Sequence, residues 1–429
     1  MNTIYLTDKI RVFPNQLAID KLWQASYVCK DVWNILNNDK KSNQTNYYDQ
    51  KKMLPIIKSE NPSFKLPSSQ VLQEVVKALH AGWNMFFTKL KNCDTNVKPP
   101  RFKSYKYFFT QKYPQQKISF EFNKNTLRLA YGKNKSEWIE LVIPERDYDL
   151  NTIKNVTISY DKLLKHWYIC MTRDIKLPEA LRSSKIVFFD PGTKMALTGI
   201  RTDHTAWEYD LTPLRELSMK HYKLIDTLKS LRDKKQKGSR RWRRFNKTIS
   251  NIYRKIRTQT KHYLHIMANK ILEDHPDHDF RIGDWNKQQT LADTGHKFID
   301  KRINRQVQNN NPVKRLVGYL QYKAALKGQQ VKEFDERGST KTCSCCSATQ
   351  KMSPAKRIYV CTACGFKTER DVNSVLNFLK NHNYASWQSL GDSLSIVGYK
   401  LNPLTGANRR NYHRSLILNY QDAWGLLTP

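Results

Sequence analysis

Four cysteines in two C-x-x-C pairs, Cys343/Cys346 and Cys361/Cys364, constrain this chain more than any other feature. The pairs stand fourteen residues apart, and each suits a tight knuckle. Four thiolates at this spacing suit the tetrahedral coordination that Zn2+ prefers. Two disulfides are the other use of four cysteines. The remaining ones (Cys29, Cys93, Cys170 and Cys345) are scattered as in a reducing compartment, which favours one structural Zn2+. Cys345 adjoins Cys346, so one sulfur of the first knuckle is left over. Acidic residues bracket the module: Glu333, Asp335 and Glu336 before it, and Asp371 directly after its last knuckle.

The rest of the chain is strongly basic, with 74 Lys and Arg against 38 Asp and Glu and a formal charge of +36. Such an excess repels itself unless a polyanion neutralises it, so nucleic acid is the default partner. A membrane surface is the rival. The chain has no apolar run near the roughly eighteen residues a span needs, and no lipidation motif. MNTIYLTDKIRVF at the N-terminus reads as a strand and lacks the apolar core of a signal peptide. These features point to an intracellular protein: nuclear if its origin is eukaryotic or viral, cytoplasmic if bacterial.

In chain order, residues 4–12 alternate as a strand ending before Pro14. A helical stripe follows from Asn15, then a polar, Asn-rich stretch at 37–51 that reads as a loop. A second helix starts near Ser68 or Ser69, so residues 15–96 form a helical lobe. VKPPRFKSYKYFF interleaves Arg101 and Lys103, suited to phosphates, with aromatic residues suited to stacking or packing. Five alternating segments between 118 and 171 predict a small β-barrel completed by the N-terminal strand, so residues 1–14 and 97–182 make one domain.

Residues 183–338 read as a second, α/β domain. KIVFF, 185–189, is apolar throughout and predicts a strand buried on both faces, with Asp190 at its tip before Pro191-Gly192. A turn-forming Asp is common there, yet the position also suits a metal ligand on rigid backbone. A helical hairpin spans 214–275 and carries thirteen Lys or Arg against one acidic residue between Arg232 and Lys261. Arg240, Arg241, Arg243 and Arg244 are its densest cluster, a surface for tracking phosphates. A basic helical region at 299–327 and a strand at 331–334 lead to the cysteine module, 339–368. Residues 369–385 read as a helix with Asp371 in its first turn. Residues 386–429 stay unassigned.

Three separated carboxylate sites are thus available: Asp190, an acid before the cysteines, and Asp371. Carboxylates from distant segments holding two Mg2+ ions are what a polynucleotide hydrolase of the RNase H type needs. No P-loop, dinucleotide motif or Ser-His-Asp set competes for the chemistry.

DPG at 190–192, STKTCSCC at 339–346, VCTACG at 360–365 and ERDVNSVLN at 369–377 resemble the core of TnpB proteins and Fanzors. These are RNA-guided nucleases related to type V CRISPR effectors. RVFPN, LPSSQVLQ and PPRFKS extend the likeness upstream. The resemblance implies a multidomain α+β fold. An N-terminal β-barrel wedge with an inserted helical recognition lobe would precede an RNase H-like RuvC domain interrupted by a zinc ribbon. It implies an Mg2+-dependent DNA endonuclease that cuts beside a short adjacent motif. Its guide RNA would come from its own element, its target would be double-stranded DNA, and the ribonucleoprotein would hold one copy. Asp190 and Asp371 match the first and last catalytic carboxylates. The middle one departs, because Gly283 followed by Asp284 stands where the family strand carries Glu. Glu336 matches a displaced glutamate found in some TnpB proteins and in Fanzors, and leans the resemblance toward Fanzors. A nuclease-inactive, RNA-guided DNA-binding protein is the alternative, and Gly283 is what argues for it.

Overall fold

The computed structural model describes residues 3–94, 96–144, 149–180, 183–192, 195–201, 205–284, 312–352, 356–382, 393–401 and 408–417. The chain divides into two compact units, Met1–Lys176 and Leu177–Pro429.

In the first unit, β1 (Thr3–Val12) pairs along its whole length with β7 (His166–Lys176). β6 (Ile153–Asp161) and the short β2 (Gln111–Tyr113) complete an antiparallel sheet in the order β1-β7-β6-β2. β3 (Phe120–Asn123), β4 (Thr126–Leu129) and β5 (Ile139–Val142) form a separate three-stranded sheet. The strands expected to close into one barrel are therefore two sheets that share an apolar core. Period-2 alternation sends Val156, Ile158, Ile169 and Met171 inward, each worth about 1.5–3 kcal/mol by burial.

Three helices complete this core: α1 (Gln16–Asn43), α2 (Tyr47–Glu60) and α3 (Ser69–Lys91). The loop expected at 37–51 is mostly helical. Its polar residues act locally: Asn46 caps α2 by accepting from the Tyr48 and Asp49 amides. Gln50 is buried and donates to the Leu36 carbonyl and to Asp39. Polarity here marks a satisfied helix junction, not irregular chain.

The second unit is built on a seven-stranded sheet. β8 (Ile186–Pro191), β9 (Met195–Arg201) and β10 (Ala206–Asp210) run antiparallel in succession. β11 (Asp279–Gly283) adds parallel to β8 on its other side, and β12 (Val331–Phe334) adds parallel to β11. The α-helices among its described residues are α4 (Thr212–Asp233), α5 (Arg240–Asp274), α6 (Val313–Ala325) and α7 (Arg370–Asn381). β8 is buried on both faces because the alternation divides it. Val187 and Phe189 join a core with α5 and α6, whereas Ile186 and Phe188 join one with α7 and the cysteine module. That module also contains the short hairpin β13 (Ile358–Val360) and β14 (Lys367–Glu369). Part of the unassigned tail enters the same sheet as β15 (Ser393–Leu401), parallel to β10, and β16 (Asn408–Ile417) at the edge. Of the basic helical region expected at 299–327, residues 299–311 lie outside the described residues and the rest contributes α6. No helix among the described residues is long and apolar enough to cross a membrane.

Candidate active site and nucleic-acid interface

The parallel strands β8, β11 and β12 end side by side. Ile282 lies opposite Phe189, and Gly283 lies opposite Phe334, so Asp190, Gly283 and the residues after Phe334 gather at one sheet edge. Open α/β sheets place their chemistry beyond such carboxyl ends. Asp190 is only 9% exposed. Burial, and then the charges of Asp371 and Glu336, push its carboxyl well above the usual range; Arg370 and a hydrogen bond from Ser374 oppose the shift.

Glu336 leans over Gly283. A Cβ built on Gly283 would stand 2.2 Å from Glu336 Oε2, 3.0 Å from its Cβ and 3.2 Å from its Cδ. The glutamate thus fills the space that a side chain at 283 would need. Its Oε2 is buried with no hydrogen-bond partner among the described residues. Burial, with Asp284 and Asp335 nearby, pushes its carboxyl up to about 7 against the pull of Lys314.

The other acids at this edge are already neutralised. Lys314 Nζ donates to Asp284 Oδ1 at 2.7 Å and to Glu333 Oε2 at 2.9 Å. Gln321 donates to the second oxygen of Glu333. Asp335 is exposed and accepts from Arg337. Among the four acids near the middle position, only Glu336 has a buried, unpaired carboxylate oxygen, and its charge is felt by Asp190.

Asp371 opens α7. Its carboxylate accepts from Arg370 at 3.2 Å and lies 3.5 Å from Arg357 of the cysteine module. Val372 to Leu379 are all buried, so α7 is covered on more than one face. The sheet takes Val375, Leu376 and Leu379. The polar face is fastened to the first knuckle. Asn373 Nδ2 and Asn377 Nδ2 both donate to the Thr342 carbonyl at 2.8 Å, and Asn373 Oδ1 accepts from the Ser344 amide at 3.0 Å. Sequence reasoning found the apolar stripe of this helix but assigned no role to Asn373 and Asn377. Their i, i+4 spacing was the available signal.

The thiols of Cys343, Cys346, Cys361 and Cys364 all lie within 4.8 Å of one another. Two of the separations are 3.7 and 3.6 Å, far beyond a disulfide's roughly 2.05 Å. They fit the edge of a tetrahedron with metal–sulfur bonds of about 2.3 Å, so the set can hold one Zn2+. Cys345 is buried beside the set and is not part of it. Each knuckle closes on a left-handed residue, Ser347 after the first and Gly365 after the second. Among the described residues no other group of three or more such side chains meets this spacing. As a hard-oxygen set with one orphaned buried oxygen, the carboxylates suit Mg2+ better than a softer cation.

Arg240, Arg241, Arg243 and Arg244 are exposed in the first turns of α5. In the first unit, the stretch around Arg101 and Lys103 is strapped along α1 by its backbone. Trp33 Nε1 donates to the Arg101 carbonyl, Asn34 exchanges hydrogen bonds with Lys103, and buried Lys30 donates to the Tyr105 carbonyl. With the main chain turned inward, Phe102, Tyr105 and Tyr107 are left exposed, and Lys103 sits 4.2 Å over the Trp33 ring.

Residues 314–378 match the family model described as Cas12f1-like, TNB domain. A putative transposase of Acanthamoeba polyphaga mimivirus is 28% identical over 294 residues, covering 62% of this chain and 59% of that protein. A TnpB-like protein of the same virus is 24% identical over 230 residues, covering 53% and 43%. The chain therefore spans less than two thirds of the length of these curated relatives. The fold is similar to that in the cryo-EM structure of the Cas12f1–sgRNA–target DNA complex, with a TM-score of 0.58 and 12% identity over 88% of this chain and 99% of that one. CasPhi-2 (Cas12j) bound to crRNA gives 0.52 and 8% over 89% and 98%.

Proposed function

We propose that this chain, a member of the TnpB-like family, is an RNA-guided DNA endonuclease of transposable-element origin, cutting DNA beside a short adjacent motif in a RuvC-type site. The observation that carries the reading is the gathering of Asp190, Glu336 and Asp371 near the shared edge of β8, β11 and β12, close enough to feel one another's charge, with Glu336 lying over Gly283. The strand order β10-β9-β8-β11-β12, antiparallel then parallel, supports an RNase H-like domain. The relatives, named as transposase and TnpB-like, and the Cas12 neighbours, named as complexes with guide RNA, support guide RNA and target DNA as partners.

Asp190, Glu336 and Asp371 would hold two Mg2+ ions, which when bound supply an activated water and neutralise the leaving oxygen. The chain's own part is placement. Asp190 is fixed by a strand buried on both faces, Glu336 reaches in from beyond β12, and Asp371 is set by a helix tied to the cysteine module. Structural Zn2+ on the four cysteines would hold that module rigid. Exposed Arg240, Arg241, Arg243 and Arg244, with Arg101 and Lys103, would meet backbone phosphates without reading bases. The nuclease-inactive alternative rests on Gly283, and a glutamate lying over that glycine weighs against it. The same packing, with relatives in a giant virus, supports the Fanzor-type branch and a nuclear site of action.

Purification, sequencing of co-purifying RNA, and cleavage of DNA matched to a reprogrammed guide test the reading. Cutting that needs Mg2+, follows the guide and is lost in Asp190→Asn is expected. A preparation with no bound RNA, or cutting indifferent to the guide, would refute it.

A further inference from the structure

The stretch from Val97 to Lys117 contains six Lys or Arg and no acidic residue. Between Pro100 and Phe109 it is neither helix nor strand, yet its main chain is held at six residues. Asn37 Nδ2 donates to the Pro100 carbonyl at 3.1 Å, Trp33 Nε1 to that of Arg101 at 3.0 Å and Asn34 Nδ2 to that of Lys103 at 3.1 Å. Lys30 Nζ donates to the Tyr105 carbonyl at 3.2 Å, and Ser26 Oγ accepts from the Phe109 amide at 2.7 Å. These five side chains recur every three or four residues, so they share one face of α1. Lys162, in the turn after β6, donates to the Lys106 carbonyl at 3.2 Å. The segment is a strap fixed by its backbone, with its side chains free to face outward.

Its aromatic residues divide into two sets. Phe108 and Phe109 turn inward, with ring centres 4.8 Å from Trp167 and 5.9 Å from Trp33. Phe102, Tyr105 and Tyr107 face solvent and are 52%, 57% and 60% exposed. Each of these three has a lysine over its ring: Lys41 is 4.5 Å from the centre of Phe102, Lys30 5.8 Å from Tyr105 and Lys162 4.8 Å from Tyr107. A ring with a cation on one face and more than half of its surface open offers the other face to a partner. Arg101, Lys103 and Lys106 are exposed between the rings. The complementary partner is therefore planar groups joined by negative charge, which is the description of a polynucleotide. A duplex hides the faces of its bases, so the bases that fit are unpaired. Because the strap is already fixed, little conformational freedom is lost when it binds.

We propose that Phe102, Tyr105 and Tyr107 form a stacking platform for unpaired RNA bases, with Arg101, Lys103 and Lys106 meeting the phosphates between them. Stacking of this kind tolerates any base, so the platform recognises single strands without reading sequence. Only the choice of RNA over DNA rests on the proposed function. In a ribonucleoprotein the RNA is resident and the DNA comes and goes. Open rings on a preformed surface favour association between copies unless they stay covered, which a resident strand achieves.

The test uses the full-length, zinc-containing protein and two probes, a short oligouridylate and an RNA duplex of the same length. Binding is measured at high salt, where contacts to phosphate alone are suppressed. Phe102→Ala, Tyr105→Ala and Tyr107→Ala should each weaken single-strand binding by about five- to a hundredfold. Duplex binding and the salt slope should not change. Tyr105→Phe and Tyr107→Phe keep the ring and should bind like wild type. All three side chains are exposed, so thermal unfolding of the variants should match wild type. Arg101→Gln/Lys103→Gln should instead reduce the slope of log K against log salt by about 0.7 for each phosphate lost. As a local readout, oligouridylate containing 5-bromouridine is photocrosslinked, and the adducts should map to peptides holding residues 102, 105 or 107. Wild-type single-strand binding by the alanine variants, equal loss on the duplex, loss in the phenylalanine variants, or adducts confined to other peptides would overturn the platform. Adducts there only with the matching 5-bromodeoxyuridine DNA would overturn the choice of RNA. No arm needs a guide or cleavage, so the platform and the nuclease reading can fail separately.

Discussion

Gly283→Ala offers the sharpest test of the displaced glutamate, because it leaves every carboxylate in the chain intact. Gly283 has no left-handed backbone, so alanine suits its strand conformation and should stabilise the strand by about 0.5–1 kcal/mol. The new Cβ would nevertheless stand 2.2 Å from Glu336 Oε2 and 3.0 Å from Glu336 Cβ. Ordinary contact begins near 3.4 Å, so the carboxylate must move by roughly 1 Å. Overpacking costs about 1–3 kcal/mol, and the mobility of a glutamate puts this case at the low end. Net stability should therefore fall by no more than about 1 kcal/mol. Catalysis should suffer far more, since a misplacement of about 1 Å can cost ~100-fold. In a Glu336→Ala background the clash is gone, and Gly283→Ala should become neutral or stabilising. The thermodynamic cycle should show a coupling of about 1–2 kcal/mol, well above the ~0.3–0.5 kcal/mol of independent sites. Single-turnover cleavage under a matched guide and thermal unfolding of the four proteins supply the readouts. Wild-type cleavage by Gly283→Ala, together with additive stabilities, would show that Glu336 does not occupy this space in solution.

Glu336→Gln should bind guided target DNA normally and fail to cut it, as should Asp190→Asn and Asp371→Asn. Asp284→Asn loses only one half-exposed partner of Lys314 and should keep substantial activity, so the reverse order in a cleavage assay would reassign the middle ligand. Without Mg2+, Glu336 should also make stability depend on pH. Its folded-state pKa of about 7 lies above the ordinary 4.5, so the folded state binds the extra proton. That contribution is complete below pH 4.5 and is lost as pH rises through 7. The full shift corresponds to ~3 kcal/mol, or about 2 kcal/mol after allowing for partial exposure. Glu336→Gln should then be the more stable protein at pH 8, with the gap closing toward pH 4.5; a gap independent of pH contradicts the burial argument. Asn373→Ala removes a buried acceptor from the Ser344 amide and a donor to Thr342, so a loss of about 1–3 kcal/mol is expected. Cys361→Ser should abolish stoichiometric zinc by elemental analysis and lower both thermal stability and cleavage. Cleavage at the wild-type rate by a zinc-free protein would rule out a structural zinc.

Local signals in the sequence were legible. The cysteine knuckles, the strand ending at Asp190 and the helix after Asp371 depend on neighbours a few residues apart, and the structure contains each of those elements. Long-range partnerships were not legible in the same way. The 37–51 stretch reads as loop because its residues are polar, yet Gln50 is buried by bonds to Leu36 and Asp39 that no periodicity reveals. SLSIVGYKL, 393–401, has a short pattern of its own but no sign of its partner, and it becomes strand by lying parallel to β10 from nearly two hundred positions earlier. Asn373 and Asn377 look like the solvent face of an amphipathic helix until the first knuckle covers them. The choice among Glu333, Asp335, Glu336 and Asp284 was open for the same reason: it depends on which of them Lys314 and Arg337 hold.

Those ion pairs also bear on the proposed cation site. Asp190 is buried and Glu336 half-buried, and their carboxyls are both raised above the usual range. Burial alone resists ionising either one, and each also feels other carboxylates nearby. Lys314 is the cation closest to hand, but Asp284 and Glu333 hold it at 2.7 and 2.9 Å. On the other side, Arg357 and Arg370 are engaged by Asp371. The basic side chains nearest the two carboxylates are thus hydrogen-bonded to other acids, and offset the shifts of Asp190 and Glu336 only in part. A pair kept so short of compensation destabilises the fold unless something else supplies charge. Among the described residues the one orphaned carboxylate oxygen at this edge, Glu336 Oε2, is where that charge would bind. A chain that only bound nucleic acid would gain stability by replacing either residue with an amide. Retaining both carboxylates, with a glycine cleared to admit the second, is the arrangement that the proposed divalent-cation site calls for.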